Sequence, residues 1–346
     1  MLRGQVRCWF DVRQAPRCRL KEKVNGMREW LNRGRWLVVC LGWACLFTGA
    51  QAQNAPRPLM QAKMVVPNVY YVEGVSEMGS SANQNFISNA GFVVTPAGVV
   101  VVDALGSPEL ARRLMAEIAK VTSKPIHTVV LTHYHADHIY GLQVFKDAGA
   151  RVVAHGAARE YLTSDTARLR LEASRQELWP WVDEKTRLVP ADDWLSSEKT
   201  LTIGGVRFDI RPVGPSHTAE DLVVYLPSQK VLFAGDLVFR NRIPFVGQAN
   251  SQHWIEAMDS LLKFDARWVV PGHGPISNDA KGDMTLTRDY LIYLREAMGR
   301  AAKDMEPFDS AYANTDWRRF EKMPLFKSAN RMNAYNTYLL MEQEAK

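Results

Sequence analysis

The stretch IHTVVLTHYHADHIYG, residues 126–141, decides the fold. An almost wholly apolar run ends at Thr132. His133, His135, Asp137 and His138 then fall within six positions, which uses three of the chain's eight histidines. An extended run of this kind reads as a strand buried on both faces. At its end His133 and His135, two residues apart, project to one side. The chain then turns into a helix and aims Asp137 and His138 elsewhere. One segment therefore supplies two divergent ligand pairs, which suits two adjacent metals better than one. Neutral imidazole and carboxylate favour Zn²⁺ or a similar transition ion.

Outward from this stretch, the chain alternates strands and helices. Upstream lie the strand-like runs NVYYVEG, NFISNAGFVVT and GVVVVDA, then the helical SPELARRLMAEIAKVTSK, with Ser107 at its cap and Leu110, Leu114, Ile118 and Val121 on one face. Downstream, a short helix IYGLQVFKDAG and the strand ARVVAH follow. Residues 156–197 break the rhythm as a helical insert. Strands return in LTIGGVRFDIRPV, DLVVYLP, KVLFAGD and ARWVVPG, with helices at SQHWIEAMDSLLKF and MTLTRDYLIYLREAMGRAAKDM. Two similar halves, each of strands followed by helices, predict an α/β fold, a four-layer αββα sandwich with C-terminal helices and a site at the strand ends. The boundaries expected are a leader over 1–52, a tether over 53–63, the sandwich over 64–280 with its insert at 156–197, and a helical segment over 281–346.

Further ligands should stand at other strand ends. GPSHTAED offers His217, LFAGDLVF offers Asp236 and VVPGHGPI offers His273, each after an apolar strand and bracketed by glycine or proline. The set is then His133, His135, His217, Asp137, His138, His273 and Asp236, and the last is a carboxylate able to bridge two ions. The remaining histidines read otherwise: His127 inside a strand, His155 at the end of one and His253 at a helix start suit packing or capping.

The motif H-x-H-x-D-H, with the later histidine, aspartate and histidine at strand ends, resembles the metallo-β-lactamase superfamily over about residues 65–294. That resemblance implies one zinc on His133, His135 and His217, and a second on Asp137, His138 and His273. Asp236 and a hydroxide would lie between them. More narrowly, ANQNFISNAGFVVTPAGVVVVDALG, THYHADHIYGLQVFKDAGA and GDLVFRNRIPFVG are similar to the zinc metallohydrolases of quinoprotein relay systems and bacterial sulfur-oxidation clusters. The best-known lactamase branch has a cysteine where Asp236 stands, whereas Asp236 matches the glyoxalase II-like and lactonase-like branches. His135 in place of glutamate separates the chain from the oxygen-reducing flavodiiron relatives.

Charge and cysteine usage narrow the function. Ten of the 43 basic residues and three of the 37 acidic ones lie in residues 1–52, so the remainder is close to neutral, with one acid in excess. A neutral body lacks the basic groove that nucleic acid requires. All four cysteines, Cys8, Cys18, Cys40 and Cys45, also sit in the leader. The rest can form no disulfide and has no thiolate ligand. From Met27, a basic segment, the apolar core WLVVCLGWACLF and Ala50-x-Ala52 predict a signal peptide cleaved after Ala52, and translation starting at Met27. The twelve-residue core is shorter than the ~20 residues a spanning helix needs. The expected mature protein is periplasmic or secreted and has no membrane span.

The expected enzyme is a binuclear zinc hydrolase of a small-molecule ester, thioester, lactone or amide-type bond. Asp137 and Asp236 would be its catalytic carboxylates, with Asp137 orienting the attacking hydroxide and passing a proton to the leaving group. The alternatives are β-lactam hydrolysis, a mononuclear-iron sulfur dioxygenase and a non-catalytic periplasmic metal-binding protein. Tyr134, Arg240 and Arg242 are candidate substrate contacts, the arginines as clamps on an anionic group. Thr132, Ser216 and Thr218 are placed to hold the histidine rings. The insert, with Trp179, Trp181 and Trp194, is the expected determinant of substrate choice.

Overall fold

The structure is a computed structural model that describes residues 58–344. The leader, with the signal peptide read there, and residues 53–57 of the expected tether lie outside the described residues, whereas the tether's second half is part of the fold, with Met60 buried and Lys63 opening the first strand. The first sheet has seven strands in sequence order: β1 (Lys63–Val66), β2 (Val69–Val72), β3 (Ala90–Thr95), β4 (Gly98–Val102), β5 (Ile126–Val130), β6 (Arg151–His155) and β7 (Asp193–Leu195). The second has five: β8 (Lys199–Ile203), β9 (Val206–Pro212), β10 (Leu222–Leu226), β11 (Val231–Phe239) and β12 (Trp268–His273), with β12 and β8 at its edges. The helices are α1 (Pro108–Val121), α2 (Ala136–Ile139), α3 (Leu142–Asp147), α4 (Ala158–Leu162), α5 (Asp165–Glu177), α6 (Ser251–Leu261), α7 (Ala280–Lys303), α8 (Phe308–Asn314) and α9 (Arg331–Glu344).

The strand β4, one glycine and four valines, shows why two sheets stack. Val100 and Val102 point into the inter-sheet core with Val93, Val130, Phe208, Ile210, Val224 and Phe233. Val99 and Val101 point the other way, toward Leu110, Leu114 and Ile118 of α1. With no polar face to turn outward, β4 is stable only between two apolar layers. On the far side, Leu232, Ala234 and Val269 of the second sheet pack against α6 and α7 through Trp254, Met258, Leu291 and Leu294. The order helix, sheet, sheet, helix is the expected αββα sandwich.

Three local readings change. The run 85–95 forms a strand only from Ala90. Before it, Gln84 and Asn85 take left-handed backbone (φ 59° and 58°), and Asn89 Nδ2 donates to the Pro271 and Gly274 carbonyls at 2.8 and 2.7 Å. Side chains bonding to distant backbone there displace the ladder. The single helix expected at 139–149 is broken into α2 and α3 at Gly141. A Cβ at that position would fall 2.0 Å from the Ala104 carbonyl, so only glycine lets the turn approach β4's end. The insert is helical only in α4 and α5, and it closes with β7, which pairs in parallel with β6 (Val153↔Asp193, His155↔Leu195). Its end is therefore part of the first sheet. Among the described residues, no helix is long and apolar enough to cross a membrane.

Candidate metal centre

The seven proposed ligands converge where β5 and β12 end, around Asp236, which lies inside β11 rather than at the strand end expected for it. His133, His135, His217 and Asp236 form one group, and Asp137, His138 and His273 another, each with its ligand atoms within 4.8 Å of one another. Two groups were read from the divergence of the motif, and the turn from β5 into α2 produces it. His217 arrives on the loop before β10, and Asp236 lies within β11 beside Gly235. Parallel pairing of β11 with β12 brings His273 alongside Asp236. Gly272 makes that approach possible, since a Cβ there would lie 1.9 Å from Asp236 Oδ1.

Asp236 sits at the centre. Its Oδ1 is 3.1 Å from His138 Nε2, and its Oδ2 is 3.2, 3.3 and 3.8 Å from the Nε2 atoms of His273, His217 and His133. Asp137 Oδ2 lies 3.4 Å from His273 Nε2 and 3.6 Å from His138 Nε2. His217 Nε2 and His135 Nδ1 face each other at 3.0 Å. His133 Nε2, His138 Nε2 and Asp236 Oδ1 are buried with no hydrogen-bond partner among the described residues. Buried polar atoms without partners are costly, so this convergence of lone pairs fits a bound cation.

The far side of the rings is better partnered, and it fixes their tautomers. Asp103, at the end of β4, takes a left-handed conformation (φ 65°) that turns its carboxylate into the site. Its Oδ1 accepts from the Thr132 N–H at 2.8 Å, and its Oδ2 accepts from Thr132 Oγ1 at 2.8 Å and from His138 Nδ1 at 2.9 Å. Because Thr132 Oγ1 donates to Asp103, it accepts from His133 Nδ1, 3.0 Å away. The Ile87 carbonyl accepts from His273 Nδ1 at 2.7 Å. Each of these three imidazoles thus has a proton fixed on Nδ1 and turns its Nε2 to the centre, where a bound cation would take the place of any proton. Thr132 holds a ring as expected. Ser216 Oγ instead donates to the Val213 carbonyl at 2.5 Å, and Thr218 Oγ1 donates to Asp221 Oδ1 at 2.8 Å.

The electrostatics follow. Burial lowers the pKa of His133 well below the usual imidazole range, reinforced by neighbouring His138, and burial with His217 lowers His135 to about 3. Burial also acts downward on His138, but Asp236, Asp137 and Asp103 outweigh it and hold this ring well above that range. Burial would raise Asp236, yet His273, His138 and His133 hold it well below the carboxylate range. Glu220 is pushed up to about 7, by burial first and then by neighbouring Asp221.

The substrate-contact candidates separate. Tyr134 is not in the cleft: it is buried, its hydroxyl faces the Val189 carbonyl at 3.4 Å, and its ring stacks on Trp194. Between ligand residues that face one way, the strand-like alternation sends it into the core. Arg240 is no clamp either. Its Nε donates to Asp283 Oδ1 at 2.9 Å and its Nη1 to the Ile276 carbonyl at 3.1 Å, tying the His273 loop to α7. Arg242 stays beside the site, buried, with Nη1 3.2 Å from His273 Nδ1 and Nε without a partner among the described residues. Trp181 Nε1 donates to the Ser81 carbonyl at 2.7 Å, while Trp179 is exposed. The three expected packing histidines stand apart from the centre. His127 Nδ1 lies 2.7 Å from Thr128 Oγ1, and His253, in the first turn of α6, donates its backbone N–H to Asn250 Oδ1 at 3.1 Å.

Asp103 and Asn89 went unread in the sequence. The available signal was a carboxylate closing the valine run of a strand that lies beside the motif strand. Replacing Asp103 with Ala should lower metal affinity by about 10- to 100-fold, as loss of a partner behind a ligand imidazole does. Competition with a metallochromic indicator measures this, and unchanged affinity would show that the rings are oriented by something else.

A family model, the metallo-beta-lactamase superfamily, matches residues 84–273. Over 243 residues the chain is 27% identical to a linear primary-alkylsulfatase of a Pseudomonas species, covering 59% of this chain but only 45% of that protein. It is 26% identical over 249 residues to a metallo-beta-lactamase type 2 of Elizabethkingia meningoseptica, covering 70% of this chain and 89% of the other. Among solved structures, a stereoselective inverting sec-alkylsulfatase from Pseudomonas sp. superposes with a TM-score of 0.64 at 19% identity, over 82% of this chain and half, 50%, of that one. A metallo-beta-lactamase from Pontibacter korlensis gives a TM-score of 0.54 at 25% identity, over 68% and 99%.

Proposed function

The chain belongs to the metallo-beta-lactamase superfamily of metal-dependent hydrolases, and from that premise we propose that it is an exported binuclear zinc hydrolase of a small-molecule ester, thioester, lactone or amide-type bond. One observation carries this reading. A single buried carboxylate, Asp236, lies within 3.1–3.8 Å of the Nε2 atoms of four histidines drawn from both ligand groups. A carboxylate so placed suits two cations that share it.

In this reading His133, His135 and His217 would hold one zinc, Asp137, His138 and His273 would hold the other, and Asp236 would serve both. Two bound Zn²⁺ would supply Lewis acidity, lowering the pKa of water from 15.7 toward about 7 and polarising the scissile oxygen. The chain supplies the rest. Asp103 and the Ile87 carbonyl keep the protons on the outer nitrogens of His138 and His273. Asp137 directs Oδ2 at the histidines, which leaves its other oxygen to orient the attacking water and take up its proton. Arg242 adds a fixed positive charge behind His273, near Asp137 and Asp236, to draw in an anionic substrate group.

A sulfate ester is a second reading, supported by the similarity to the linear primary-alkylsulfatase. The test is metal analysis of the full chain with a panel of thioesters, lactones, β-lactams and sulfate esters. Two zincs per chain and turnover of at least one class are expected. One iron per chain with oxygen uptake would replace the hydrolase by a dioxygenase.

A further inference from the structure

The structure places the cleft's outer wall where the sequence did not point. A hollow of about 440 Å³ opens at His135 and His217 and is bounded by Phe245, Val246 and, from α9, Met332 and Asn336. A second hollow, of about 320 Å³, shares Val246, Gly247, Gln248 and Asn336 with the first and continues to Leu339 and Leu340. The two hollows therefore adjoin, and together they make a trough-like surface that begins at the candidate ligand histidines and follows α9. The insert contributes only Tyr161 to it.

The wall is built rather than incidental. Met332, Asn336, Leu339, Leu340 and Gln343 recur at helical spacing and so share one face of α9. That face is mixed and open: Met332, Leu339 and Leu340 form an apolar stripe, with Met332 39% and Leu339 37% exposed, and the amides of Asn336 and Gln343 lie along it. The buried flank beside this face is fixed by polar bonds. Asn333 Nδ2 donates to the Pro244 carbonyl at 2.7 Å and to the Tyr290 hydroxyl at 3.0 Å, and Asn333 Oδ1 accepts from the Val246 N–H at 3.0 Å. One side chain therefore clasps α9 to the facing wall, so the trough keeps its width. The helix lies beyond residues 84–273, outside the stretch matched by the family model.

We infer that the substrate is an amphiphile whose straight apolar chain lies in this trough, with its hydrolysable head at the ligand histidines. This rests on the hydrolase reading for the head, whereas the tail site stands on the trough alone. From Met332 to Leu339 the helix advances about 10 Å, room for a medium-length alkyl chain rather than a compact ring.

The experiment separates the two parts. Calorimetric binding of 1-butanol and 1-octanol to the full chain, with and without zinc, reads the tail site without turnover. Each methylene buried tightens binding by up to about fourfold, so octanol should bind at least about tenfold more tightly than butanol even with partial burial. Leu339→Asp and Met332→Glu, both at exposed positions that tolerate a charge, should reduce that preference to about threefold or less. Leu169→Asp, on an exposed face of α5 outside the trough, should leave it unchanged. In parallel, kcat/KM for p-nitrophenyl octanoate should exceed that for the butanoate, with the advantage lost through KM in the two α9 variants. Equal binding of the two alcohols, or a preference that survives both α9 substitutions, overturns the tail site. A preference lost in the variants with no ester cleaved keeps the trough and removes esterase chemistry from the head.

Discussion

Asp236→Asn should cost the protein one metal ion and reduce turnover by more than about 100-fold, since loss of a ligand exceeds the 10- to 100-fold cost of losing a partner behind one. The substitution is nearly isosteric, so packing is retained, and what changes is charge. The imidazoles of His273, His138 and His133 now stabilise the anion and, against burial, hold its pKa well below the carboxylate range. A neutral amide removes that negative charge and bridges two cations poorly. The group formed by Asp137, His138 and His273 has only two imidazoles, so its ion should leave first. Metal content after gel filtration and turnover on whichever panel substrate is cleaved decide the matter. Two retained zincs with a normal rate would mean that Asp236 does not bridge.

Trp254→Ala should be the most damaging change to stability, at about 3–5 kcal/mol for a fully buried tryptophan. Trp254 has no exposed surface, and its Nε1 donates to the Leu237 carbonyl at 3.1 Å. Its ring meets His217 edge-on at 5.2 Å and Phe239 at 6.3 Å. It is thus both the core of the α6 contact and the wall behind one ligand. Trp254→Phe keeps most of the packing but strips the Leu237 carbonyl of a donor, for a smaller loss of about 1–3 kcal/mol. Urea unfolding of the metal-free protein reads the packing term alone. In the zinc-loaded protein a further loss should appear as His217 loses its backing. An Ala variant within about 1 kcal/mol of the parent would show that the site can collapse around the gap.

The sequence-level expectations differ in kind. Alternation of apolar runs with turns sufficed for the sandwich, because a strand such as GVVVV has no polar face and must be covered twice. The seven candidate ligands were legible because each follows such a run within a few residues, and strand ends are where a sheet delivers side chains to a common edge. The substrate contacts were not legible by the same logic. Arg240 and Tyr134 stand beside ligand residues in sequence, but Asp283, 43 residues on, claims the first, and the Val189 carbonyl, 55 residues on, faces the second.

By itself, then, the sequence determined the elements, their apolar faces and the residues at their ends, all of which depend on local spacing. Only the tertiary structure decided what stands behind and in front of those ends. Asp103 reaches Thr132 and His138 because β4 and β5 pair in parallel. Asn89 joins backbone 182 residues away. The helix α9, more than a hundred residues beyond His217, is laid beside the cleft by Asn333. Such contacts are specified by packing between distant segments, and no periodicity in either segment records its partner.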